Sequence, residues 1–134
     1  MRSWLKTRRS AGFTLLEMMI VMVIMGILIS IAIPIYSQSV VRAREAVLHN
    51  DLFELRKLIY QYTVDKQKAP QSLDDLVSGG YLKQIPKDPM TNEANWTVDQ
   101  EDVMLTVDQQ DPGINDVHSA SSATASDGTA YSTW

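Results

Sequence analysis

Gly12-Phe13-Thr14-Leu15-Leu16-Glu17 opens the stretch on which the rest of the chain depends, and the run stays apolar from there to Ile33. Phe13 to Ile33 is 21 residues long, and Glu17 is its one charged member. At about 1.5 Å per helical residue the run covers roughly 30 Å, the hydrocarbon thickness of a bilayer. An acid at mid-membrane costs about 2.5–3.5 kcal/mol on insertion scales. Glu17 sits about one turn inside the span, where the cost is smaller. It still calls for a partner.

Plainer readings of the run compete. One takes it as an ordinary single-span anchor in which Glu17 is merely tolerated. Ser30-Ile31-Ala32 imitates a small-x-small cleavage site of a secretory signal, with a product beginning Ile33-Pro34. An apolar core far beyond the usual ~7–15 residues and a proline just after the cut argue against that. Met18, Met19, Met22 and Met25 could be taken as soft-metal ligands. At helical spacing in a lipid-length run, methionines serve more often as adaptable apolar filler.

Lys6-Thr7-Arg8-Arg9-Ser10-Ala11-Gly12 before Phe13-Thr14-Leu15-Leu16-Glu17 resembles the leader of type IV prepilins and type II secretion pseudopilins. The resemblance implies that a prepilin peptidase cuts between Gly12 and Phe13 and methylates the new amino terminus at Phe13. That α-amino group has a reference pKa of ~7.7–8, and Glu17, four residues on, shares its helix face. The acid could pair with its own amine or with that of a neighbour in a stack of staggered helices. The family is thought to use the neighbour, which makes Glu17, with Pro34 below it, a filament-assembly position.

Charge is distributed unevenly. Arg2, Lys6, Arg8 and Arg9 make the leader +4, and 8 Lys+Arg against 16 Asp+Glu leave the rest at −8. Basic residues ahead of a span keep that end in the cytoplasm and send the acidic bulk across. A body at −8 is a poor nucleic-acid binder. The absence of cysteine excludes disulfides and cysteine-based metal or nucleophile sites.

Four segments follow in order: a leader at 1–12, a transmembrane helix at 13–33, an amphipathic helix at 34–65 and a domain at 66–134. Pro34 lacks an amide proton and predicts a kink or loosening near residues 30–34. Val41, Leu48, Leu52, Leu55, Ile59 and Tyr62 then recur at helical spacing, with Arg42, Arg44 and Glu45 among the polar residues assigned to the other faces. One long, bent helix results. Ser72 and Asp75 signal a capped short helix over 72–77, and Gly79-Gly80 end it. Pro86-Lys87-Asp88-Pro89 reads as an extended connector. Strands are expected at 96–99 and 103–108 as a hairpin facing the helix. Beyond Asp111 the chain turns Ser/Thr/Ala-rich, with Ile114, Val117, Tyr131 and Trp134 able to pin it. The fold class is α+β, a long bent N-terminal helix on a small antiparallel β domain with a structured loop tail.

No catalytic constellation is present, so an enzyme is not expected. His49 reads as a surface helix residue, and Asn95-Trp96-Thr97 as a chance match to a glycosylation acceptor. Residues 67–89, Asp116-Val117-His118-Ser119 and the Asp127-to-Trp134 ending are similar to the major pseudopilin family of type II secretion. That likeness implies a self-assembling periplasmic filament with an inner-membrane platform, an assembly ATPase and minor pseudopilins as partners. It also implies a bacterial inner-membrane subunit with its C-terminal domain in the periplasm. A type IV pilin for adhesion, motility or DNA uptake is the alternative. The likeness further suggests a calcium (Ca2+) site at Asp116, Ser119 and Asp127. Only two of those are carboxylates, where calcium favours six to eight oxygens, and hydrogen bonds with apolar pins are the other way to hold the loop.

Overall fold

The computed structural model describes residues 12–101 and 112–134. The chain packs as two compact units, Met1–Gln38 and Ser39–Trp134. A single helix, α1 (Leu15–Lys66), runs through both. The helix continues through Pro34, whose carbonyl accepts a hydrogen bond from Ser37 Oγ at 2.9 Å.

In the first unit every large apolar side chain from Phe13 to Ile35 is exposed. α1 is long and apolar enough there to cross a membrane, with none of the apolar window buried inside the protein. In the second unit the helix buries one stripe: Glu45, Leu48, Leu52, Leu55 and Ile59, at alternating spacings of three and four. Fully burying one such leucine or isoleucine contributes about 1.5–3 kcal/mol. The stripe corrects the expected one at its upper end. Val41 is 42% exposed, and Glu45, assigned from sequence to a polar face, is 6% exposed.

A small set of elements packs on this stripe. α2 (Leu73–Ser78) contributes buried Leu73 and Leu76. Asp75 Oδ2 accepts the amides of Gln71 at 2.8 Å and Ser72 at 3.2 Å, holding the helix start. At the other end the Gly80 amide reaches Val77 O and the Tyr81 amide reaches Leu76 O, a Schellman closure. It needs Gly80 at φ +78°, where a Cβ is disfavoured.

β1 (Thr97–Glu101) and β2 (Gly113–His118) form a two-stranded antiparallel sheet, Val98 opposite Val117, with a register shift between Asp99 and Gln100. The first strand matches expectation to within a residue or two. Its partner is 113–118, a segment read from sequence as the start of the loop tail. The strand expected at 103–108 lies outside the described residues. Ile114 and Val117 enter the core with Trp96, Ala125 and Tyr131. A Thr124–Ala130 bridge and a 3-10 turn at Tyr131–Thr133 order the ending. A helix packed with a small antiparallel sheet is the expected α+β class.

Candidate functional site

The first candidate site is the start of α1. Thr14 precedes the helix, and its hydroxyl accepts the Glu17 amide at 3.1 Å. This is the N-cap geometry of a Thr-x-x-Glu sequence, a signal present in the sequence and not used in reading it. It places Glu17 on the third helical residue, where the positive end of the helix dipole favours a carboxylate. Part of the acid's cost in an apolar run is therefore offset within its own helix. Glu17 forms no ion pair among the described residues. Gly12 and Phe13 lie just ahead of the helix, Phe13 78% exposed.

A second cluster closes the domain. Glu45 faces the C-terminal loop and accepts three hydrogen bonds: from the Ser126 amide at 2.7 Å, Ser126 Oγ at 2.6 Å and Tyr131 Oη at 2.9 Å. The Ser126 bonds hold its carboxyl below the ordinary glutamate value against the opposing effect of burial. Burial, with Glu45 beside it, pushes the Tyr131 phenol up.

Asp88 is a second buried acid, fully shielded from solvent. Its carboxylate accepts Ser119 Oγ and the Met90 amide at 2.7 Å, while its own carbonyl accepts the Asn92 amide. The connector expected at 86–89 is free of turns through Asp88 and leads into a turn at 89–91 that this aspartate organises, with Trp96 Nε1 bonded to Pro86 O at 2.8 Å. Burial, followed by repulsion from Glu54 and Asp88, raises Asp51.

The third cluster centres on Arg56. Its Nε donates to Asp116 Oδ1, and its Nη2 donates to Val117 O at 3.0 Å and to the main-chain oxygen of Trp134 at 2.8 Å. Burial would raise Asp116, but the bonds from Arg56 and the Val117 amide outweigh it and hold the carboxyl low. His118 Nδ1 lies beside the same Trp134 oxygen, with Asp99 Oδ2 3.2 Å from Nε2. His49, expected as a plain surface residue, stacks on the Trp134 indole at 4.0 Å between centroids.

The residues suggested for calcium are therefore engaged elsewhere. Asp116 is paired with Arg56, and Ser119 donates its hydroxyl proton to Asp88. Asp127 Oδ1 accepts the Thr129 hydroxyl at 2.6 Å and its amide at 2.8 Å, which lower its pKa. Among the described residues no group of three His, Cys, Asp or Glu side chains is placed to hold a metal. As they stand, Asp116, Ser119 and Asp127 do not fit a cation that needs several converging carboxylates.

Comparison with known proteins bears on the start of α1 and on the chain as a whole. Residues 7–33 match the family model described as the prokaryotic N-terminal methylation motif. The type II secretion system core protein G of Aeromonas hydrophila is 35% identical, over 66% of this chain and 73% of that protein. The protein of the same name from Vibrio cholerae is 35% identical over 68% and 73%. That of Escherichia coli K12 is 31% identical over 65% and 71%. No solved structure matches the chain. With the methylation motif on its apolar helix and these identities over most of each relative, the chain belongs to the type II secretion core protein G family of pseudopilins.

Proposed function

We propose that this chain is the major pseudopilin subunit of a type II secretion system and acts by assembling, not by catalysis. Prepilin peptidase hydrolyses the Gly12–Phe13 amide, the new Phe13 amine is methylated, and the subunit waits in the inner membrane with residues 39–134 in the periplasm. A cytoplasmic ATPase, a membrane platform and minor pseudopilins then draw subunits into a filament whose core is made of helices 13–38. The observation that carries the reading is the first unit of α1. It exposes an apolar surface from Phe13 to Ile35, interrupted by one acid at its capped start. Such a surface has no place in water. In lipid it is stored, and among other copies of itself it is buried. Glu17 accounts for registry, because a carboxylate in that apolar run is best satisfied by the amine of an adjoining subunit.

Mass spectrometry of the protein isolated from its host membrane tests the first step. The expected product begins at N-methylated Phe13. An intact Met1 start, or a start at Ile33, sinks the reading. Crosslinking of the same membranes tests the second, where a ladder of multiples is expected and monomer alone is the contrary result.

A further inference from the structure

We propose that Arg56 is the built-in cation of this domain: its guanidinium holds together the oxygens of the C-terminal segment, so that the segment folds without calcium. The inference concerns residues 39–134 alone and does not depend on the filament reading.

Arg56 gathers one carboxylate oxygen, from Asp116, and two main-chain oxygens, from Val117 and Trp134. Carboxylate and carbonyl oxygens are also what a calcium ion collects. A guanidinium offers positive charge too, one unit against the ion's two, with its donors fixed in a planar fork. It is placed by the helix: Arg56 directly follows the buried Leu55 and stands four residues after Leu52 and three before Ile59. From there it reaches β2 and the 3-10 ending at once, joining three parts of the sequence. A metal ion competing for Asp116 would have to displace a like charge already bonded to it.

The neighbouring oxygens are satisfied without metal in the same way. Glu45 holds Ser126 and Tyr131, Asp88 holds Ser119, and Thr129 closes on Asp127. Trp134 is fixed on its other sides by His49 stacking, an edge contact with Tyr131 and a 2.7 Å bond from its indole to Thr129 Oγ1. Each side chain the calcium reading called on already has a protein hydrogen-bond partner: Asp116 has Arg56, Ser119 has Asp88 and Asp127 has Thr129.

The test uses the full chain in detergent, with EGTA or with millimolar calcium chloride. An ion bound specifically at a hundred times its Kd raises the midpoint of a domain this size by roughly 10 °C. We expect a shift below about 1 °C, equal resistance to limited proteolysis in both buffers, and no saturable heat on titration with calcium chloride. A calcium-dependent rise of the larger size, or cleavage of residues 113–134 in EGTA alone, overturns the proposal. Arg56→Gln keeps hydrogen-bonding capacity and removes the charge. It should lower the midpoint and speed cleavage of 113–134 in both buffers, and a variant as stable as the wild type also overturns the proposal. If the variant does not fold at all, the wild-type comparison decides alone.

Discussion

Two glutamates stand on the same helix, and their surroundings differ in every respect. Glu17 lies in the unit whose apolar side chains are all exposed, near the start of α1, with Thr14 capping its amide. Glu45 lies in the unit that buries its stripe, and three donors close on its carboxylate. Glu45 is complete within its own chain. Glu17 is not. The difference teaches where each half of the molecule finds its stability: the described residues of 39–134 satisfy their buried acids internally, whereas residues 13–38 present an apolar surface and one acid to whatever surrounds them.

The sharpest way to break that comparison is to remove the incomplete acid. Glu17→Val makes the span more apolar, and Glu17→Gln keeps a hydrogen-bonding group without the charge. Both should be processed and retained in the membrane at wild-type level. Fibres counted from cells expressing each variant equally should fall by about tenfold or more, the effect of losing about 1.4 kcal/mol at a subunit contact. Normal fibre numbers with Glu17→Val would show that the acid is tolerated, not used, and the contrast with Glu45 would lose its meaning.

Removing the complete acid should leave membrane insertion untouched and strike the domain instead. Glu45→Ala leaves the Ser126 amide, Ser126 hydroxyl and Tyr131 phenol without their acceptor. The thermal midpoint should drop clearly, and residues 119–134 should become sensitive to protease. Glu45→Gln retains one acceptor oxygen and should fall between. The pH dependence follows from the depressed pKa. Against a reference of 4.5, the contribution of Glu45 is fully present above that value and is lost as pH falls through the lower folded value. Asp116 and Asp127, also held low, act in the same direction from a reference of 3.8. Asp51 is raised and acts oppositely, its strain easing as acid is added. Unfolding followed from neutral pH downward should therefore show a flat midpoint that falls below about pH 4.5. Glu45→Gln should have a shallower acid limb, and an unchanged limb would remove Glu45 from the balance.

How much of this was legible in the sequence follows the same division. Glu17 stood out because it was the one charge among 21 residues. Glu45 did not, because Arg42 and Arg44 precede it and a charge among charges reads as a solvated face. The spacing to Leu48 was available, but a carboxylate on a core stripe is predictable only when its donors are known, and Ser126 and Tyr131 are 81 and 86 residues away. Arg56 was hidden for the same reason, its partners being 60 or more residues on. The β1 strand was visible from its own residues. Its pairing with 113–118 was not, since nothing local in Gly113–His118 marks which strand it will meet. The Thr14 cap was legible, and the family's cleavage motif at the same residues drew the reading elsewhere.

A smaller effect sharpens the comparison with one substitution made in each half. Gly26 and Gly113 are both glycines, and neither needs a left-handed backbone. A Cβ at Gly26 meets nothing within 4 Å in this chain, whereas a Cβ at Gly113 runs into the Ala69 side chain and its backbone. The close approach has a cause: β2 begins where the Ile114 amide donates to Pro70 O at 2.7 Å, drawing the strand against the 69–70 turn. Pro70 is itself buried, so the turn has little room to retreat. Gly113→Ala should cost about 1–3 kcal/mol, the range for an extra methyl in a filled site. Gly26→Ala should leave domain stability within about 0.5 kcal/mol of wild type. Its effect belongs to assembly, where a small residue lets a neighbouring helix come close. Thermal unfolding and fibre counts on both variants separate the two. If Gly26→Ala lowers the midpoint as much as Gly113→Ala, the two units do not draw their stability from different surroundings.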